Sequence, residues 1–200
     1  TIQGLVVWVN AKGDPAIYIG TNWGLYIFDW DEEIAKPFYM FSNSDSFHCK
    51  AMRVWNGNLY FSSGRDIFVV NRSNFSIASI KPRPDDTLNT LRGRWTSLIA
   101  LNSFLLGSTD AAGISTRSGG IWKYNEKGWH SALANRSAGT AINTIGWSNG
   151  VLVFAESGIT PTTGTLTYPD TTEPLLDIST TTYNGGGNTS LLYSPFMNGG

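Results

Sequence analysis

Charge is what this sequence has least of. Asp, Glu, Lys and Arg make up 14% of its 200 residues, against about 25% in an average globular chain. The net charge is −1. Without a basic excess the chain has no electrostatic footprint for nucleic acid or an anionic membrane surface, so neither is expected as a partner. Histidine is almost absent. His48 and His130 lie far apart in sequence, and neither has a ligand-type residue at metal-binding spacing, so no metal and no cofactor are expected. One cysteine, Cys49, excludes an internal disulfide framework. It reads as a small buried hydrophobe. No apolar run reaches the roughly 18 residues of a membrane-spanning helix, so no membrane insertion is expected. Phosphate-cradling loops and nucleophile elbows are missing as well. Asp14, Asp66, Asp110 and Glu156 all fall near strand ends, but nothing singles out a glycosidase-like pair among them.

What the sequence has is aromatic and glycine-rich. The 22 Gly, 8 Trp and 41% hydrophobic residues come without an amphipathic helical stretch, which predicts an all-β, turn-rich protein. Residues 16–29, AIYIGTNWGLYIFD, join two short apolar runs through a Gly-bearing turn, a hairpin pattern. Both alternate sets of the second run, Leu25 with Ile27 and Tyr26 with Phe28, are apolar. A strand of that kind is expected to be buried on both faces, inside a layered stack.

The phrase returns three times. Residues 58–71 (NLYFSSGRDIFVVN), 104–125 and 152–170 repeat the order run, turn, run and short polar stop. Aligned on Ile17, Leu59, Phe104 and Leu152, the copies are 42, 45 and 48 residues apart. The stops are Asp29, Asn71, Asn125 and Asp170. Each copy follows another apolar run and a tight turn (residues 5–9, 52–55, 98–101 and 142–147), and Asn56-Gly57 is a strong hairpin signal. Weaker fourth strands are predicted at residues 38–41, 75–80 and 129–133. Four strands per repeat of this length is the period of a β-propeller blade. The expected fold is therefore an all-β propeller with four recognisable blades over residues 1–179. Residues 180–200 read as a Gly/Thr-rich linker and the start of a further strand or domain, a partial fifth blade. Thr1 in place of Met fits a processed chain or a piece of a longer one.

In a propeller the loops between second and third strands share one end with the connections between blades. Here that end carries the elaboration: the turns lengthen from residues 21–24 to 107–120 and 156–164, and residues 81–94 form a long connection. Elaborated loops on a rigid scaffold are where binding usually resides. The candidate binding residues on this end are Trp23, Arg65, Asp66, Arg83, Arg92, Arg94, Asp110 and Arg117; no catalytic residue is expected. For the charged cluster of residues 81–94 a solvated loop is the plainer reading. Trp23 reads either as a stacking platform for a sugar or partner or as a wedge between blades. Trp8, Trp55, Trp122, Trp129 and Trp147 recur at corresponding positions and are expected to pack between neighbouring blades. Residues 115–122 imitate the spacing of a sialidase-type Asp-box, but Arg117 stands where the motif requires Asp.

The stretch IYIGTNWGLYIFD, residues 17–29, resembles the degenerate repeats of sensor-type propellers, in which a strand ends in Gly-Thr and Asn-x-Gly-Leu-Tyr opens the next. It is also similar to propeller modules of bacteriophage virion proteins, including tail and tail-fibre components. Residues 190–200, SLLYSPFMNGG, resemble the segment that leads out of such repeats towards a following β-domain. The resemblance implies a non-enzymatic structural or attachment module of a virion. Its partners would be other virion proteins or a host-surface ligand such as a glycan. The alternatives are a secreted carbohydrate-binding or carbohydrate-active propeller, which is extracellular, and the ectodomain of a sensor.

Overall fold

The computed structural model describes residues 1–80, 93–110, 119–133, 141–148, 151–157, 166–169 and 178–181. All regular structure among them is β, and every strand pairing is antiparallel. The first sheet runs in chain order through β1 (Ile2–Val9), β2 (Pro15–Thr21), β3 (Gly24–Asp29) and β4 (Ile34–Met40). A second meander follows: β5 (His48–Trp55), β6 (Asn58–Ser63), β7 (Asp66–Val70) and β8 (Ile77–Ser79). The third comprises β9 (Trp95–Ala100), β10 (Leu105–Thr109), β11 (Ile121–Tyr124) and β12 (Trp129–Leu133). Two-stranded sheets are formed by β13 (Ala141–Ser148) with β14 (Val151–Ser157), and by β15 (Leu166–Pro169) with β16 (Ile178–Thr181).

The repeated sequence phrase is thus a repeated sheet, and its local chemistry shows why. Asn56 and Gly57 both have positive φ (45° and 76°), the conformation that a two-residue hairpin turn requires. The short polar stops cap the chain reversals after the third strands. Asp29 Oδ1 accepts the Asp31 amide (3.0 Å), Asn71 Oδ1 that of Ser73 (2.8 Å) and Asn125 Oδ1 that of Lys127 (3.2 Å). These are Asx turns, in which a side chain imitates a backbone acceptor.

Successive sheets pack face to face through their first strands: β1 lies against β5, β5 against β9, and β9 against β13. Side chains of one strand alternate between two layers. In β6, Leu59 and Phe61 pack towards the first sheet and Tyr60 towards the third. In β10, Leu105 faces the second sheet and Leu106 the fourth. Tryptophans join the layers, as expected for Trp8, Trp55 and Trp129, and Trp95 does the same. Trp8 Nε1 donates to Gly57 O (2.7 Å) and Trp55 Nε1 to Leu101 O (2.7 Å) in the next sheet. Trp95 Nε1 donates to Arg65 O (2.9 Å) and Trp129 Nε1 to Ile80 O (2.6 Å) in the preceding one. Each indole fills the interlayer space with its ring and satisfies a turn or strand-end carbonyl with its N–H.

Two expectations need correction. The 16–29 hairpin is not buried on both faces. Among the described residues it belongs to an outermost layer: Ala16, Tyr18 and Leu25 face the second sheet, whereas Ile17, Ile19, Tyr26 and Phe28 are only partly covered and Leu5 and Val7 are exposed. Apolar content on both faces specified a layer, but not that both sides have a neighbour among the described residues. The third strand expected for the fourth repeat, in residues 164–170, is present as β15 but pairs with β16 and forms a separate sheet. A four-residue strand ending in Pro169 carries little register information, so spacing alone could not choose its neighbour.

Candidate functional site

The elaborated end of the stack is built on one recurring irregularity. The pairing of first and second strands slips at this end in the first four sheets: between Ile2 and Gly4, His48 and Met52, Ser108 and Thr109, and Ile142 and Thr144. A bulge inserts residues into one strand, bends it and unpairs backbone groups. Hydroxyls late in the second strands, Ser62 and Ser108, and one at the start of a first strand, Thr96, meet that need. Ser62 Oγ accepts the Ala51 amide (3.1 Å) and donates to Phe47 O (2.9 Å). Thr96 Oγ1 donates to Ile142 O (2.6 Å) across to the fourth sheet and lies 2.8 Å from Ser108 Oγ. In the first sheet glycine replaces the hydroxyl residue. A Cβ at Gly20 would collide with Cys49 and Met52 of the second sheet.

All buried polar side chains among the described residues gather here: His48, Ser62, Thr96, Ser108, Thr109 and Asp110. Asp110 forms a clasp. Its Oδ1 accepts the Arg94 amide (2.6 Å), and its Oδ2 accepts Arg94 Nε (2.8 Å) and Nη2 (2.6 Å). The Asp110 amide returns a bond to Arg94 O (2.9 Å). The guanidinium also lies 3.9 Å from the Phe47 ring centroid, with Lys50 Nζ at 4.5 Å from the same ring. Charge-assisted bonds at this geometry are the strong kind.

The turns are linked along the end. Asn22 Nδ2 donates to Ser44 Oγ (2.7 Å), the Asp45 amide donates to Asn22 O (3.0 Å), and the Trp95 amide donates to Gly64 O (2.9 Å). Of the expected binding residues, Arg65, Asp66, Arg94 and Asp110 come together where the second and third sheets meet. Arg65 is exposed, and its carbonyl anchors Trp95. Trp23 stands apart on the turn of the first sheet, 49% exposed; it is not a wedge between layers. Its amide and that of Gly24 both donate to Thr21 Oγ1 (3.1 Å each), which fixes the turn. Arg83, Arg92 and Arg117 lie outside the described residues.

Sequence reading missed Phe47, Lys50 and the hydroxyl residues. The available signal was the small or hydroxyl pair closing the second strands: Gly20-Thr21, Ser62-Ser63 and Ser108-Thr109. His48 was noted only as lacking metal-ligand spacing. It is 4% exposed, stacked 3.8 Å from Phe41, and neither ring nitrogen has a hydrogen-bond partner. Burial lowers its pKa below the ordinary 6.5, opposed by the Asp45 carboxylate and the Asn43 backbone. The unfolded chain therefore takes up a proton in a pH range where the folded chain does not. Stability should fall as pH drops below about 6.5 towards the depressed folded value. A thermal-melt series from neutral to mildly acidic pH checks this. His48→Phe, which keeps the stack, should remove that component of the slope.

Chemically, this end is a braced platform. Among the described residues no cluster of three His, Cys, Asp or Glu is placed to hold a metal ion. Ser62 Oγ gives its proton to the Phe47 carbonyl. Compared with known proteins, the chain matches no family model and no curated protein.

Proposed function

We propose that the chain is a β-propeller module whose four-stranded sheets are blades, and that it serves a phage-like virion protein as a non-enzymatic structural or attachment element. The observation that carries this reading is the shared construction of the loop-rich end. Four sheets bulge at the same end, and the bulged strands of the second and third are braced by buried hydroxyls or an ion pair. Such bracing holds loop bases rigid, which lowers the ordering cost of binding a partner. The Arg94–Asp110 pair braces the chain at this end rather than facing a second carboxylate as a reactive pair, which supports display over catalysis. Exposed Trp23 supplies an indole face that stacks on a glycan or on a protein partner.

Electron cryomicroscopy of the assembly that co-purifies with the tagged chain tests the proposal. The expected result is a ring or part-ring seated against other virion subunits with the loop-rich end towards a partner. A free closed ring with paired carboxylates around an ordered ligand would replace it with the carbohydrate-active reading.

A further inference from the structure

The connection between the first and second sheets, residues 41–47, leads into a buried ring that has nothing to bond to. His48 follows it directly, 4% exposed, with no hydrogen-bond partner on either nitrogen. Phe41, at the start of the connection, stacks on the imidazole at 3.8 Å and packs against Phe61 and Phe68 of the second sheet. The Asp45 carboxylate and the Asn43 backbone are the groups that favour a proton on the ring, and desolvation outweighs them. Ser42, Asn43, Ser44 and Ser46 are exposed, so this part of the enclosure is one pass of chain thick. Neutral hydrogen bonds tie it down. The Phe41 amide donates to Trp23 O (2.9 Å), the Asp45 amide to Asn22 O (3.0 Å), Asn22 Nδ2 to Ser44 Oγ (2.7 Å) and Ser62 Oγ to Phe47 O (2.9 Å). Among the described residues no ion pair fastens it. Just behind the ring, Cys49 takes a φ of 54°, a strained conformation for a residue with a side chain.

We propose that residues 41–48 form a proton-operated strap: a proton taken up by His48 lifts the connection from the ring and loosens the loop-rich end. An imidazolium carries a charge and two N–H donors, and the enclosure leaves both without water or a bonded acceptor. The two groups that favour it, Asp45 and the Asn43 backbone, belong to the connection itself, so meeting them means moving it. The other charged groups on the surrounding elements give the ring no acceptor. They are the Thr1 ammonium on Asn22 Oδ1 (2.8 Å), Lys50 and Arg94 at the Phe47 ring, with Arg94 paired to Asp110, and Arg65 and Asp66 at the β6–β7 turn. Lifting the strap undoes three braces together: Trp23 O loses the Phe41 amide, Asn22 loses Ser44 and Asp45, and Phe47 leaves the Arg94 guanidinium. Opening takes up a proton, because the freed ring titrates near 6.5 and the enclosed ring lower. The open fraction therefore rises as pH falls below about 6.5, by up to roughly tenfold per pH unit until the closed form protonates too. A partner held by this end, as proposed above, is released by the same acidification.

The test is native-state amide exchange of the full chain without any partner, read as protection factors in low urea at neutral pH and at about pH 5.5. The amides of Phe41, Asp45, Phe47 and His48 are expected to exchange through an opening that depends little on urea, since urea dependence scales with the surface exposed. They should exchange more readily than the amides of β10, whose residues are all buried. On acidification their protection should fall by up to roughly tenfold. His48→Phe, which keeps the ring stack, should leave their protection flat with pH. Strap amides that exchange together with β10, with the same urea dependence, overturn the proposal, because only global unfolding then frees the ring. A local opening that ignores pH overturns it, as does a pH response that survives His48→Phe. A proton-NMR titration of the native imidazole needs no variant: a ring that titrates at or above the ordinary 6.5 refutes the strap.

Discussion

Trp95→Ala is expected to cost about 3–5 kcal/mol, the range for removing a buried large aromatic side chain. For a chain of this size that is a fall of roughly 6–20 °C in the melting midpoint. Trp95 is 1% exposed and lies in the cluster shared by the second and third sheets with Trp55, Tyr60, Leu105 and Trp122. Its ring sits 4.6 Å from that of Trp129. Its indole N–H satisfies the Arg65 carbonyl, so truncation removes both the volume between two layers and a bond that ties a turn of one sheet to a strand of the next. Gly107 makes the prediction sharper. A Cβ there would run into the Trp95 ring. Gly107→Ala should therefore destabilise the native chain by overpacking, yet cost little or even help in the Trp95→Ala background, where it grows into the cavity. Thermal and urea melts of the two single variants and the double variant check this. Additive losses would mean that the ring and the glycine are not coupled, and the interlayer role assigned to Trp95 would be wrong.

The pairing of Trp95 with Gly107 also shows which features could be read from the sequence. Run, turn and polar stop are local signals, so the four-fold rhythm and the strands it implies were legible. Asn56-Gly57 and the Asx turns at Asp29, Asn71 and Asn125 depend on neighbours a few residues away and fell where the pattern put them. The layer contacts join residues 30 to 49 positions apart in the Trp bonds. Composition could say that tryptophans pack between sheets, but not which carbonyl each one meets. The bulges were invisible for another reason: a bulge is a mismatch between two strands, and no single strand's sequence states it. His48, two residues after a polar stretch, carried no signal beyond its lack of a partner at metal-ligand spacing. Its burial follows from the bulge that begins beside it, where Cys49 takes a φ of 54°. At the candidate site, Arg94 and Asp110 were each singled out as loop charges for binding. Their partnership across 16 residues turns them into bracing, and that needed the fold.

Asp110→Ala is the second large effect expected, and it separates bracing from ligand contact. Removing one member of a buried ion pair leaves the other uncompensated, at about 3–5 kcal/mol. Because the Arg94 side chain keeps 33% of its surface in water, the low end, about 3 kcal/mol, is the expected loss, or roughly 6–12 °C in midpoint. Three bonds to the carboxylate vanish together, including that from the Arg94 amide, which sits next to the amide that Trp95 donates to Gly64 O. Amide exchange should therefore rise first at Arg94 and Trp95, and reach the β6–β7 turn before the rest of the second sheet. Asp110→Asn keeps an oxygen for the Arg94 amide but turns a donor towards the guanidinium, so it should lie between the wild type and Asp110→Ala. The decisive variant is Arg94→Ala combined with Asp110→Ala. If the clasp is structural, the double variant is more stable than the sum of the single losses predicts, since the stranded charge is gone. If Asp110 serves mainly to contact a partner, its replacement should leave the melt unchanged while abolishing capture of that partner. The same two measurements on Arg65, whose side chain is exposed and whose structural part is its carbonyl, should give the opposite outcome: an unaltered melt with any loss confined to binding.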